Sequence, residues 1–227
     1  MRAYTADKYF EYVENFNDPV FQSWQKTEGD VISHVKNSKS KTFIDLGAGY
    51  GRVLRIIANI AKNVLAIEIN PGMLEELRRR SMEYSNVKVM GGDMQNLLDL
   101  LESEEVKNPV LLLLQNTLGT IEGDYKKVLS EMKKVATRYR GEIIISLLRQ
   151  EALKDFGMKF YTYISPMTGD LDLEKTELEK GLFISKTGYV SKWWTLSDIE
   201  EIRKYFGGKV IKEVKTPEFY MLHTSLT

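Results

Sequence analysis

The chain has no cysteine and only five prolines in 227 residues. Without thiols there are no disulfide staples and no thiolate metal sites, so stability has to come from an apolar core. Net charge is missing too: 32 Lys and Arg are matched by 32 Asp and Glu. A dedicated nucleic-acid binder ordinarily shows a basic excess, so a nucleic-acid partner is not expected. Long apolar runs are also lacking. The longest, Val110–Leu114, falls far short of the roughly 20 residues that cross a bilayer. The opening "MRAYTADKYF" holds no apolar core of signal-peptide length. The expectation is a cytoplasmic protein with no membrane partner and no metal.

The residues that are present alternate in period. Between about 41 and 150, β-rich apolar runs ("KTFIDL", "NVLAIEI", "VKVMGGD", "PVLLLLQN", "EIIISLL") are separated by helical patterns. A helix opens at Asn70-Pro71, a cap residue followed by a first-turn proline. Continuous apolar strands alternating with helices predict an α/β fold with a parallel sheet covered on both faces. Residues 1–40 read as a helical cap, its second helix beginning at Asp18-Pro19. Residues 157–195 carry turn signals ("TGD", "EKG", "KTG") and read as an antiparallel β insertion after strand five. Residues 196–227 read as a helix, capped by Ser197 with Glu200, and two strands. All of this is expected to form a single domain spanning 1–227.

"DLGAGYG" stands at the end of the first strand, giving Asp45-x-Gly47-x-Gly49-x-Gly51. Glycine costs folding entropy and is placed where φ is positive or where something approaches the backbone closely. A dinucleotide fingerprint would need glycine at position 52, where Arg52 stands. The Gly-Lys-Ser/Thr of a phosphate loop is absent. The acid two residues before the first glycine belongs to neither pattern.

That motif resembles the first motif of the class I S-adenosylmethionine-dependent methyltransferase superfamily, and two further motifs follow in order. The resemblance implies a three-layer Rossmann-like fold with a mostly parallel seven-stranded sheet, and S-adenosylmethionine as cofactor. It places Asp45 near the cofactor's ammonium, with Gly47, Ala48, Gly49 and Gly51 against its backbone-hugging side. "VLAIEINPGML" resembles the second-strand motif, with Glu68 on the ribose hydroxyls and Ile69 beside it. "GGDM" resembles the third, with Asp93 on the adenine amino group and Gly92 and Met94 flanking it. Gln115 closes the cofactor set at the end of strand four. Asn116 is similar to an asparagine of the glycine-type N-methyltransferases.

Methyl transfer is a displacement on an already electrophilic sulfonium, so no compulsory triad is expected, and neither His34 nor His223 is expected as a base. The acceptor is expected to be a small molecule, methylated at N or O. The aromatic residues of the cap (Tyr4, Tyr9, Tyr12, Trp24) and of the insertion (Tyr161, Tyr163, Trp193, Trp194) are candidate pocket walls. Tyr12, Trp24, Asn116, Tyr163 and Trp193 are the substrate-binding candidates. An RNA or protein acceptor is the alternative. From other classes come an NAD-dependent oxidoreductase and a non-catalytic nucleotide-binding module. The sequence leaves monomer and homodimer equally open. The segment after strand four, "QNTLGT", has no acids such as metal-dependent enzymes place there. Turnover should therefore be unchanged by EDTA. Activity lost to the chelator and restored by magnesium would overturn this.

Overall fold

The structure is a computed structural model that describes residues 5–226. Tyr4, one of the expected cap aromatics, lies outside them. The five apolar runs become five parallel strands: β1 (Thr42–Leu46), β2 (Asn63–Glu68), β3 (Val87–Gly91), β4 (Val110–Leu113) and β5 (Glu142–Leu148). A short hairpin follows, β6 (Leu182–Ile184) and β7 (Val190–Lys192). Strands β8 (Lys209–Lys215) and β9 (Phe219–Ser225) complete the main sheet as antiparallel members. Its order is β3-β2-β1-β4-β5-β9-β8.

The helices are α1 (Ala6–Tyr9), α2 (Pro19–Ser33), α3 (Leu54–Ile60), α4 (Pro71–Ser81), α5 (Leu97–Leu100), α6 (Tyr125–Arg138), α7 (Met158–Tyr163), α8 (Ser165–Thr168) and α9 (Leu196–Phe206). They form a layer on each face of the sheet. Ile44, Leu46, Leu111 and Leu113 pack under Val128 and Met132 of α6 and Ile199 of α9. Phe43, Val64 and Leu112 pack under Ile32 of α2, Ile57 of α3 and Leu77 of α4. Each such side chain contributes roughly 1.5–3 kcal/mol on burial. Strand alternation puts Asp45 on the Phe43 side, toward α2 and α3.

Local signals set the helix starts. Asn70 Oδ1 accepts from Gly72 N (2.9 Å) and Met73 N (3.3 Å), and Asp18 Oδ1 from Val20 N (2.9 Å). Helix α9 departs from the expected Ser197/Glu200 box. Its box is Thr195 with Asp198. Trp194 is fully buried and bridges to Arg149, so Thr195 is the first residue released from that extended segment to serve as a cap.

The insertion also departs from expectation. Residues 157–195 are not antiparallel strands throughout: α7 and α8 fill 158–168, and only the β6–β7 hairpin is regular sheet. The reason lies in spacing. Leu153, Phe156, Phe160 and Ile164 recur every three or four residues, a helical stripe that the turn signals further on had obscured. This stripe, with Phe183 and Trp193, packs on Phe21 and Trp24 of α2 to make a third core.

Asn116 fastens that core to the sheet. It adopts a left-handed conformation (φ 55°). Its Oδ1 accepts from Leu148 N (3.2 Å) and Trp194 Nε1 (2.9 Å), and its Nδ2 donates to the Lys192 carbonyl (3.0 Å). Asn116→Ala leaves two buried donors without acceptors, each worth about 1–3 kcal/mol. Denaturant unfolding should show a stability loss of about 2–4 kcal/mol with an unchanged slope. An unaffected midpoint would show that the amide is not structural.

Candidate functional site

In an open α/β sheet a ligand meets the strands' carboxyl ends where the strand order reverses. Here the reversal lies between β1 and β4, and a cavity of ≈ 980 Å³ opens there. β1 supplies Asp45 to its wall, and the turn after it supplies Gly47, Ala48 and Gly49. Gly49 has φ +57°, and a Cβ on it would meet nothing within 4 Å. The space of its missing side chain is therefore cavity. Gly51 (φ +89°) serves differently. A Cβ there would come within 2.9 Å of Leu77 Cδ1 and 3.3 Å of Leu54 Cβ, so it lets α3 and α4 close behind the turn.

Glu68 and Ile69 arrive from the end of β2. The Glu68 carboxylate is 7% exposed as a residue and already collects backbone amides. Its Oε1 accepts from Ile69 N (2.8 Å) and Asn70 N (2.7 Å), and its Oε2 from Gly49 N (2.7 Å). A carboxylate has about four lone-pair positions, so capacity remains on Oε2. Asp93 and Met94 come from the end of β3. Asp93 caps the turn that follows, accepting from Gln95 N (2.8 Å) and Gln95 Nε2 (3.1 Å). Gly92 is not part of the wall. It is closed off by Leu100, and its N–H donates to the Glu68 carbonyl (3.1 Å).

Gln115 follows β4 in a left-handed conformation (φ 51°). Its Oε1 accepts from Tyr9 OH (3.1 Å), while its Nε2 is buried without a partner. Asp45 is buried, and its carboxyl is pushed up to about 7. Burial is the main cause. Arg52 opposes it, and the nearby Glu68 and Glu28 add to it.

Beyond these residues the cavity is apolar and aromatic, walled by Phe21 and Trp24 of α2, Phe160 and Tyr161 of α7, and Tyr189 and Val190 of the hairpin. Of the expected substrate residues only Trp24 and Asn116 reach it, and the Asn116 amide is occupied as described. Tyr12, Tyr163 and Trp193 do not. Tyr163 is 42% exposed, and its OH donates to the Asn15 carbonyl (3.4 Å). Trp193 is fully buried behind the wall, donating to Tyr161 OH (2.8 Å). Neither histidine contributes: His34 is exposed, and His223 Nε2 sits 2.8 Å from Glu142 Oε2 near the start of β5.

The structure adds Arg52 to the cavity wall and pairs it with Glu28, which lies buried behind that wall. Their ion pair is inaccessible on the Glu28 side and partly accessible on the Arg52 side. A signal for Glu28 was present. It stands four residues after Trp24 and three before Val31, a charge set inside the apolar stripe of α2.

Residues 43–138 match the family model described as a methyltransferase domain. A methyltransferase from Clostridium acetobutylicum, described as S-adenosylmethionine-dependent, superposes on 97% of this chain and 97% of its own (TM-score 0.61, 16% identity). The chain is thus similar to the S-adenosylmethionine-dependent methyltransferases, in residues 43–138 by the family model and in fold over nearly its whole length.

The magnesium protoporphyrin IX methyltransferase of Synechocystis, solved with bound S-adenosylhomocysteine, shares the superfamily fold (TM-score 0.60, 14% identity, 97% of this chain and 93% of that one). A curated rRNA adenine N-6-methyltransferase of Bacteroides fragilis is 37% identical over 67 residues, 30% of this chain and 25% of its own. The chain thus spans only about a quarter of that relative. The superfamily's cofactor, S-adenosylmethionine, suits the residues present. The buried Gln115 Nε2 needs an acceptor, the Gly49 side leaves room for a ligand, and acids stand at the ends of β1, β2 and β3.

Glu68→Ala should do two things. It removes an acceptor for the cofactor and also unpins the turn around Gly49. Bonds to a charged group contribute about 1.5–3 kcal/mol, so calorimetry should show affinity falling roughly 10- to 150-fold. The melting temperature should fall as well, because three amides lose their acceptor. Glu68→Gln should lie between. Unchanged affinity in the Ala variant would remove Glu68 from the cofactor site.

Proposed function

We propose that the protein transfers a methyl group from S-adenosylmethionine to a nitrogen or oxygen of a small molecule. The observation that carries this is a single cavity in which the strand-end acids open directly onto an aromatic compartment built by the cap and the insertion. At ≈ 980 Å³ it stands at the upper end of the range for ligand sites, with room for a cofactor and an acceptor together.

When bound, the cofactor supplies an electrophilic methyl on its sulfonium. In this reading Glu68 would accept from the ribose hydroxyls, using the capacity left on Oε2. Asp93 receives the adenine amino group, with Met94 against the ring. Asp45 faces the ammonium, and Gln115 Nε2 donates to an acceptor atom of the same ligand. The aromatic walls exclude water and hold the acceptor close. Such positioning is worth roughly 7–11 kcal/mol of barrier in favourable cases.

The compartment also bears on which acceptors it suits. Tyr161 lies in its wall, but burial pushes its hydroxyl up to about 12, so it stays protonated near neutrality. Among the described residues no histidine lines the cavity, and in this reading Asp45, the lining carboxyl held near 7, is taken by the cofactor's ammonium. An acceptor that brings its own lone pair, a neutral amine or an ionised oxygen, fits better than an aliphatic alcohol.

The curated rRNA relatives favour an RNA acceptor as the second reading. Against it stands the zero net charge. Labelled S-adenosylmethionine incubated separately with metabolite pools, ribosomal RNA and cell protein distinguishes them. Label in the small-molecule fraction is expected. Label confined to RNA would install the second reading.

A further inference from the structure

Helix α2 sends one charged side chain into the protein. Glu28 is 0% exposed. A buried carboxylate is costly unless its oxygens are matched. Those of Glu28 are matched from two directions: Oε2 pairs with the Arg52 guanidinium, and Oε1 accepts from Gln115 N at 2.8 Å. Arg52 follows the glycine turn of β1, and Gln115 follows β4. One side chain of the cap therefore ties together the two loops that flank the strand-order reversal.

Both loops carry a group that faces the cavity. Gln115 is held with φ at 51°, a conformation uncommon outside glycine and asparagine, and its unpartnered Nε2 lies at the cavity wall. The N–H bonded to Glu28 belongs to that same residue. Arg52 lines the cavity too, and its positive charge acts on Asp45. The charged groups facing Asp45 are Arg52 from the β1 loop, Glu68 from β2 and Glu28 from α2. Tyr9 and Tyr50 act in turn on Arg52.

We propose that Glu28 is a positioning residue for cofactor binding: from the cap helix it holds Arg52 beside Asp45 and fixes the Gln115 backbone so that its free amide faces the cofactor. The inference rests on the reading that this cavity binds S-adenosylmethionine. It makes the N-terminal cap part of the cofactor site as well as a wall of the acceptor compartment.

The charges give the test opposite signs. Arg52 lowers the ionisation range of Asp45, whereas Glu28 raises it. Asp45 in the cofactor-free protein can be followed by the carbon shift of its carboxyl, and cofactor affinity by calorimetry across the same pH range. In Glu28→Gln, Arg52 is unopposed and Asp45 should titrate below its wild-type midpoint. In Arg52→Gln it should titrate above. Affinity for an ammonium-bearing ligand grows as Asp45 ionises, so the pH dependence of binding should shift in the same two directions. Folded-state stability has the reverse sense. A carboxyl raised by burial favours the fold while neutral, and that contribution is lost as pH rises through about 7.

Glu28→Ala removes the acceptor for Gln115 N and should weaken binding by about tenfold or more at a pH where Asp45 is ionised. Glu28→Gln keeps an acceptor and should restore most of it. If the unpaired Arg52 prevents Glu28→Gln from folding, the double variant Glu28→Gln/Arg52→Gln preserves shape without charge. In it Asp45 should titrate above wild type, since Arg52 acts on it more strongly than Glu28 does. Midpoints that move the same way in both single variants, or stay still, overturn the proposal, as does equal affinity of Glu28→Ala and wild type. Wild type that fails to bind S-adenosylmethionine overturns the cofactor reading instead, and the titration of Asp45 still decides the arrangement around Glu28.

Discussion

A parallel sheet covered by helices on both faces leaves only its strand ends to meet a ligand, and the rest of this protein is built around that constraint. Five strands point their carboxyl ends the same way, and the order reverses between β1 and β4. The acids Asp45, Glu68 and Asp93 stand at or just beyond three of those ends, Asp45 one residue before the end of β1, Glu68 at the end of β2 and Asp93 two residues after β3.

Placing acids there has a cost, and the backbone offsets it. Glu68 is matched by the amides of Gly49, Ile69 and Asn70, so the glycine turn and the end of β2 hold each other in place. The second-strand motif gives Glu68 only the ribose hydroxyls. The structure gives it a second task, because binding residue and turn anchor are one side chain. Asp45 is handled differently. It sits on the α2 and α3 side of the sheet, and the positive charge that acts on it, Arg52, is shared with Glu28.

The cap and the insertion are joined by a third core, which meets the sheet at Leu148 of β5 and Phe219 of β9. Phe21 stacks on Phe160, and Tyr161 stacks on Phe183 at 3.7 Å. Asn116 then links that core to β5 and to Trp194. The residue that resembles a methyl-contacting asparagine is thus spent on architecture. Its neighbour Gln115, with an unpartnered amide, is the one left available to a ligand.

Local pattern determined the core of this protein. The five parallel strands, the caps at Asn70 and Asp18 and the Asp-x-Gly-x-Gly-x-Gly turn were legible because each depends on residues within a few positions of one another. So were the acids at the ends of β1, β2 and β3, since a run's end is marked in the run itself. Tertiary structure decided the rest. Of the motif glycines, Gly49 faces the cavity while Gly51 faces Leu77, a difference set by what packs behind the turn. Trp24 reaches the cavity while Trp193 is sealed behind Tyr161, although composition made them equal candidates. Residues 158–168 became helix because their aromatic stripe found Phe21 and Trp24 to pack against. The Glu28–Arg52 pair joins residues 24 positions apart in sequence, and only the closing of α2 onto the β1 loop brings their charges together.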